Sequence, residues 1–436
     1  MSPNSLPIHV PGWAVDYLID LCEFVNRGKA PEYVGQSSIK VIGQRCIRET
    51  FQGSQSRFQD SKRISGHLFA KKGDVLLNST GTGTIGRSCV FDEDMPYIAD
   101  GHVTVVRPNQ EKCNSSLLNS LLKTKQYQQF LEVYCYTGST NQIELSVAAV
   151  SKLKLCLPSK KEQDAIATVL DTMDEVIRRT EDVLAKLRQV KAGMLHDLLT
   201  HGLDENGALR DPIRHPEQFQ DSRLGRIPKE WEVVPLSTCL DLVTSGSREW
   251  AQYYATQGAL FIRIGNLTRE HVNLLLDDVV YVHPPQSTEG ARTKVLAGDI
   301  LVSITADIGI IGCVPEGIGE AFVNQHIALV RAKKEFNSRW IAHYLASPFY
   351  QQHFAQFNDG GAKAGMNLTS VGNLPVPIPR RKNEQDEMVE SIDQIDLEIK
   401  NCGEELRKLA HFKQGLLHDL LTGRVRIPPH LLEAMQ

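Results

Sequence analysis

Gly193-Met-Leu-His-Asp-Leu-Leu-Thr200 and Gly415-Leu-Leu-His-Asp-Leu-Leu-Thr422 are almost one octapeptide written twice, 222 residues apart. Working back from them, the offset holds without a gap to Gln163-Asp164 and Gln385-Asp386, a match over 38 positions. Farther upstream, Gly73-Asp-Val-Leu-Leu77 answers Gly298-Asp-Ile-Leu-Val302, and Gly83-Thr-Ile-Gly86 answers Gly309-Ile-Ile-Gly312. Asp100-Gly-His102-Val-Thr-Val-Val-Arg107 answers Asn324-Gln-His326-Ile-Ala-Leu-Val-Arg331, and Gly12-Trp13 answers Glu230-Trp231. The order never breaks, so duplication accounts for all five matches at once.

Each half divides into a globule and a helix. Residues 11–158 and 227–379 carry short β-rich runs such as Ile39-Lys-Val-Ile42, Asp74-Val-Leu-Leu77 and His102-Val-Thr-Val-Val106, separated by Gly, Ser, Asn and Asp. Helical patches interrupt them at Leu117–Leu122 and Trp340–Leu345. The pattern predicts α+β globules. Pro158 and Pro379 close them, and a Lys/Arg-rich step leads into a long helix each time. The expected division is a first globule over 1–158, a helix over 159–200, a linker over 201–226, a second globule over 227–379, a second helix over 380–422 and a tail over 423–436.

In the first helix Ile166, Val169, Met173, Val176, Thr180, Val183, Leu187, Val190 and Met194 alternate steps of three and four, which is a heptad seam. Ile392, Ile395, Ile399, Cys402, Leu406, Leu409, Lys413, Leu416 and Leu420 repeat the rhythm in the second. Leu195 and Leu417 join the apolar positions expected to pair helices or meet a partner, and Leu170, Ile177 and Leu184 widen the first stripe beyond a two-helix contact. Each helix would run about 57 Å at 1.5 Å per residue. One leads from the first globule to the second and the other leads back, so an antiparallel, pseudo-two-fold pair is expected. The terminal Arg426-Ile-Pro428 echoes Arg226-Ile-Pro228 ahead of the second globule.

The bulk numbers limit the function classes. At 436 residues, with 41% hydrophobic and 23% charged residues, the chain suits two or three folded domains. No stretch approaches 18 apolar residues and the start lacks a basic segment followed by an apolar run, so a cytoplasmic protein without a membrane segment is expected. The nine cysteines are scattered singly with no CxxC, which suits reduced, buried thiols rather than disulfides or a metal site. A net charge of −4 argues against a chain that coats nucleic acid, while leaving room for local positive surface.

Several strings point elsewhere and fail. Gly81-Thr-Gly-Thr-Ile-Gly86 spells G-x-G-x-x-G after a strand, yet Arg87-Ser-Cys-Val-Phe91 reads as another strand where pyrophosphate binding needs a helix N-terminus. The second half, from Ala306 to Gly312, lacks the first glycine, so a glycine-supported turn is the better reading. Asp94-Met-Pro-Tyr97 and His283-Pro-Pro-Gln286 do not complete the Asp/Asn-Pro-Pro-aromatic loop of adenine methyltransferases, and no Walker string occurs. His102 and His326 stand at equivalent positions, which duplication alone predicts, and a structural or DNA-contact role is favoured over catalysis. No catalytic set emerges.

Candidate contact residues lie on polar loops. Arg57, Lys62 and Arg63 fall in Gln52–Ser65, where Arg and Gln suit purine edges and Lys and Ser suit phosphates. Thr82 and Thr84 belong to the glycine turn, Arg263 and Asn266 to the second globule. Asn141 and Gln142 in one loop, and Lys363 and Asn367 in its counterpart, precede each globule's last strand, where glycines permit close backbone approach.

The order globule, GLLHDLLT-type helix, globule, GLLHDLLT-type helix resembles the specificity subunit of type I restriction-modification systems, over nearly the whole chain. Gly193–Thr200, Gly415–Thr422, the Gly-Asp-aliphatic runs, Asn324-Gln-His326 and the linker from Arg210 through Phe219 to Ile227–Trp231 carry the likeness. The resemblance implies two target-recognition domains that each read half of a split site on double-stranded DNA, and helices that bind two methyltransferase subunits. It also implies restriction/translocase subunits that join later, with S-adenosylmethionine, ATP and Mg on those partners and no cofactor in this chain. One departure is Gly101 against Gln325, so the two turns are not expected to do equal work. A self-sufficient DNA-modifying enzyme and a coiled-coil scaffold with sugar- or peptide-binding globules are the alternatives. The first is opposed by the missing motifs, the second by the lack of an aromatic-lined site.

Overall fold

A computed structural model of the chain describes residues 6–138, 143–246, 250–284, 288–358 and 365–434. It divides into two units, Met1–Glu181 with Glu405–Gln436, and Asp182–Glu404. Both long helices, α2 (Lys160–Thr200) and α4 (Lys382–Leu421), contribute residues to both units.

Besides one short antiparallel strand pair in each unit (Tyr136–Thr137 with Glu144–Leu145, and Phe219–Ser222 with Gly225–Pro228), the first unit has β1 (Ala14–Tyr17), β2 (Cys22–Arg27), β3 (Tyr33–Val34), β4 (Ile39–Ile42), β5 (Arg57–Gln59), β6 (Val75–Asn78), β7 (Ser88–Val90), β8 (Tyr97–Ala99), β9 (Val103–Pro108) and β10 (Lys154–Leu157). The second unit has β11 (Trp231–Pro235), β12 (Leu240–Ser245), β13 (Tyr254–Ala255), β14 (Ala259–Ile262), β15 (Val280–Val282), β16 (Ile300–Ser303), β17 (Ile311–Cys313), β18 (Ala321–Val323), β19 (Ile327–Ala332) and β20 (Pro375–Pro379). Sheet orders 2-9-6-7 and 3-5-4-8 in the first unit recur as 12-19-16-17 and 13-15-14-18 in the second. The β1–β10 pair recurs as β11–β20, and the parallel β4–β8 pair as β14–β18. The duplication therefore extends to strand order and direction.

The aliphatic runs after Gly-Asp explain how the layers form. Val75 and Leu77 face the helical side of their sheet, and Leu76 faces the second sheet, as the two-residue period of a strand requires. Ile300, Val302 and Leu301 repeat the arrangement. Burying one such side chain contributes roughly 1.5–3 kcal/mol. The aspartates of the same runs are structural. Asp74 is 1% exposed and takes a bidentate grip from Arg107 at 2.7 and 2.8 Å, and Asp299 takes one from Arg331 at 2.7 Å.

The same three-residue joint ties each globule to its long helix. Asn114 caps α1 (Ser115–Lys123) by accepting from the Leu117 amide, while its own amide groups donate to Gln163 at 3.0 Å and Asp164 at 2.8 Å. Asn337 caps α3 (Ser338–Ala346) and donates to Gln385 at 2.9 Å and Asp386 at 2.6 Å. This joint is the physical content of the duplicated Gln-Asp.

Within each unit the long-helix segments run antiparallel. Lys413 pairs with Asp174 in the first unit and Lys191 with Asp396, at 2.5 Å, in the second. The partners' residue numbers add to the same total in both, as a single antiparallel register requires. On α4 the half-buried positions include Ile399, Leu406, Leu409 and Leu417, and Ile392 is fully buried. On α2 the seam read from the valines needs correction. Val176, Val183 and Val190 are 39, 53 and 42% exposed, whereas Leu170 and Leu184 are buried and Ile177 and Leu187 half-buried. Both stripes share the heptad period and lie one residue apart, so the period alone does not choose between them. Leu195 lies on the buried face, packed with Leu198 and Leu199 against the second unit's core.

All nine cysteines are free, seven of them buried. Burial pushes the thiols of Cys22, Cys89 and Cys113 up to about 12. No helix among the described residues is long and apolar enough to cross a membrane.

Candidate nucleic-acid interface

One corner is built alike in the two units. After β6 the chain passes Thr80 and enters the glycine turn, with Gly81, Gly83 and Gly86 at φ +95, +77 and +84°, and then forms β7 as the sequence predicts. Thr80 bridges to Glu144, at the far end of the loop that precedes the last strand, and Thr305 bridges to Gly365. The turn, the described end of that loop and the duplicated histidine meet there. Thr80 Oγ1 lies 2.8 Å from His102 Nδ1, and Thr305 Oγ1 lies 2.6 Å from His326 Nδ1. The His102 amide donates to Asp100 Oδ1 at 2.8 Å, and the His326 amide to Asn324 Oδ1 at 3.2 Å. Burial pushes the Asp100 carboxyl up, with the His102 amide working against it.

Two glycines that the sequence reading passed over make this corner possible. Gly28 and Gly246 follow β2 and β12, and a Cβ there would stand 2.2 Å from the Ala99 carbonyl oxygen and 2.1 Å from that of Val323. Backbone touches backbone, so no side chain fits. Arg27 then reaches across to donate to Glu144 at 2.8 Å and to the Leu145 carbonyl.

The predicted contact residues fare differently. Reading Gln52–Ser65 as one loop is corrected: Arg57 lies on β5, inside the sheet, with its guanidinium 3.5 Å from the centroid of the Tyr33 ring. Gln59 is fully buried and binds the backbone of Asp60 and Arg63, which shapes the exposed turn bearing Lys62 and Arg63. Arg63 also meets Glu32 at 2.5 Å. Thr82 is exposed on the glycine turn, and Thr84 donates to the carbonyls of Thr80 and Gly81 at 3.1 Å, which makes it a turn residue. In the second unit Asn266 is corrected to a structural role, since it is 3% exposed with its amide donating to the Leu275 and Asp278 carbonyls at 2.9 Å. Arg263 is half-buried beside Asp278. Asn367 is exposed but caps the short helix Leu368–Gly372. Asn141, Gln142 and Lys363 lie outside the described residues.

The roots of the long helices carry a second pair of matched sites. Glu384, 1% exposed, accepts from Arg210 at 2.6 Å and from Trp231 Nε1 and the Leu203 amide at 3.0 Å. Glu162 accepts two bonds of 2.6 Å from Arg426, whose guanidinium also lies 5.7 Å from the Trp13 ring. The chain that leaves each long helix thus plugs the foot of the other. By contact Arg426 corresponds to Arg210, not to Arg226 of the echoed tripeptide, while Ile227 and Ile427 both enter their units' cores.

Only one cluster among the described residues gathers metal-ligating atoms, those of His343, Asp393 and Asp396 within 4.8 Å. Cations already match its carboxylates. Arg339 grips Asp393 at 2.7 and 2.5 Å and Lys191 pairs with Asp396, so the group acts as a clamp between α3 and α4. Burial pushes the His343 imidazole down, and Asp393 offsets this only in part. Burial also works to raise Asp393, but hydrogen bonds from His343 and Arg339 outweigh it and hold that carboxyl below its usual range.

Two copies of one α+β unit, each built on segments of both long helices, define a duplicated two-domain protein. The chain belongs to the family described as type I restriction modification DNA specificity domain, whose model matches residues 12–189 and again 228–409. It is similar to the MjaX type I restriction enzyme specificity subunit of Methanocaldococcus jannaschii, 24% identical over 361 residues, covering 81% of this chain and 79% of the relative. It is similar also to the EcoBI specificity subunit of Escherichia coli, 24% identical over 387 residues and covering 81 and 78%. The crystal structure of the type I restriction-modification S subunit from M. genitalium shares the fold, with a TM-score of 0.59 at 14% identity over 95% of this chain and 98% of that one.

Proposed function

We propose that this chain is the DNA sequence-specificity subunit of a type I restriction-modification complex and performs no chemistry itself. One observation carries the reading: two units whose four-stranded sheets share one strand order build the same Thr-His corner, yet fill it with different side chains. Each unit reads one half of a bipartite site in double-stranded DNA, and the half-sites differ because the corners differ. The long helices set the unread gap. Two methyltransferase subunits dock on them, for which the exposed stripe Val176, Val183 and Val190 offers apolar surface, and restriction/translocase subunits join that assembly. S-adenosylmethionine, ATP and Mg belong to those partners. Lys62, Arg63 and Thr82 remain contact candidates on exposed positions, with Arg57 presented from its strand, and Asn141, Gln142 and Lys363 remain candidates on the sequence reading. The net charge of −4 agrees with binding confined to local patches.

The test is methyl transfer from S-adenosylmethionine to duplex DNA. The purified chain alone should transfer nothing and bind DNA weakly, and the chain with its methyltransferase partner should modify one split site. Robust methylation by the chain alone overturns the proposal.

A further inference from the structure

The two corners differ in the residues that decide what each histidine ring offers. Gln44 Nε2 lies 3.0 Å from the Thr80 carbonyl oxygen, which fixes the amide with its nitrogen toward Thr80, because the opposite orientation would set two oxygens against each other. The same nitrogen donates to Thr80 Oγ1. With one of its lone pairs so engaged, the Thr80 hydroxyl can point its hydrogen at His102 Nδ1, 2.8 Å away. In the tautomer that this donation selects, the neutral ring carries its proton on Nε2, and among the described residues nothing hydrogen-bonds that nitrogen. His102 is exposed, and its neighbour Gly101 puts no side chain over the ring.

In the second unit that neighbour is Gln325, whose amide nitrogen lies 3.0 Å from His326 Nε2. Whichever way the amide is turned, the ring nitrogen is occupied. The outward hydrogen-bonding group is therefore the amide of Gln325.

We propose that His102 in the first unit and Gln325 in the second are specificity-determining residues, His102 donating from Nε2 to an acceptor on DNA and Gln325 addressing a base edge with a donor and an acceptor together. This rests on the DNA-reading function proposed above. An imidazole N–H suits a guanine N7 or O6 or a phosphate oxygen, whereas a carboxamide matches the N6 and N7 pair of adenine. His326 is a positioning residue that holds Gln325.

The experiment uses the full chain assembled with its methyltransferase partner. Sites modified by the wild-type complex and by His102→Phe, Gly101→Gln and Gln325→Gly are sequenced, and affinity is measured by anisotropy on the wild-type site. Gly101 tolerates a side chain, since its backbone is not left-handed and a Cβ would meet nothing closer than 3.6 Å. Gly101→Gln therefore caps His102 without relying on the His102→Phe fold. Both first-unit variants should lower affinity about tenfold or more, or relax the bases accepted in the first half-site alone. Relaxed bases identify a base contact, and a uniform loss with unchanged bases a phosphate contact. Gln325→Gly should change only the second half-site. Wild-type affinity within twofold and an unchanged site in both first-unit variants overturn the His102 assignment, and the same result for Gln325→Gly overturns that of Gln325. If the wild-type complex itself modifies no split site, the proposed function fails instead.

Discussion

The two units share strand order, joint and corner, but they are fastened to their helices by unequal means. In the second unit Arg339 and His343 on α3 meet Asp393 on α4, and a buried Arg210 meets a buried Glu384. In the first unit Ser116 and Ser120 stand where Arg339 and His343 do, and Arg426, half-exposed, meets Glu162. The comparison teaches that a duplicated fold preserves where a contact is made more strictly than what makes it. A buried carboxylate met by a half-exposed arginine and one met by a buried arginine occupy the same place with different consequences, because a buried arginine that loses its acceptor cannot turn to water instead.

The largest effect should come from Glu384→Ala, which leaves Arg210, 5% exposed, with only the exposed Glu230 as a carboxylate partner and strips the buried Trp231 Nε1 and Leu203 amide of their acceptor. It should cost the second unit about 3–5 kcal/mol. Glu162→Ala leaves an arginine that water already reaches and should cost about 1 kcal/mol or less. Urea unfolding followed by hydrogen exchange in each unit measures both, and equal losses would erase the distinction drawn here.

A second contrast lies on α2 itself. Leu184→Asp, at 9% exposure, should destabilise by about 2–4 kcal/mol, and Val183→Asp, at 53%, by no more than about 0.5 kcal/mol. If the valine substitution unfolds the helix pair as readily, the buried face has been assigned wrongly.

The smallest effect is a pH dependence. The folded state holds the His343 imidazole below 6.5, so the unfolded chain binds more protons as pH falls through that range. The contribution is present in full above the unfolded value and declines toward the folded one. Asp393, held below 3.8, adds the same sign at lower pH. Acidification from pH 7 to 5 should weaken the second unit, and His343→Gln should flatten that slope in calorimetric scans. An unchanged slope would move the titration to another group.

Much of this architecture was legible because repetition marks it. A constant offset across Gln163–Thr200 and Gln385–Thr422 cannot arise from unrelated helices, and the Gly-Asp-aliphatic runs announce strands buried on both faces. The root sites were hidden for the opposite reason. Glu162 and Glu384 sit one residue before the matched stretch, but Arg210 and Arg426 reach them from segments of different length, so no offset aligns them. Gly28 and Gly246 were hidden because close backbone approach leaves no trace in composition. The α2 face was misread because Val and Leu stripes of equal period compete, and only packing decides between them.

The turn after β16 has a consequence for how such a corner changes over time. Where the first unit enters its turn with a glycine, the second holds Ala306 at φ +60°, a conformation that costs a residue with a Cβ about 1–2 kcal/mol. The shape does not require the residue that makes it easy. It is imposed from outside, by Ser303 donating to the Asp307 carbonyl at 2.6 Å and accepting from the Ile310 amide, and by the Met366 amide on the Ile304 carbonyl. Such a corner behaves like a window frame under tension from its wall: the panes are replaceable, and new side chains can be tried in it without the opening changing shape.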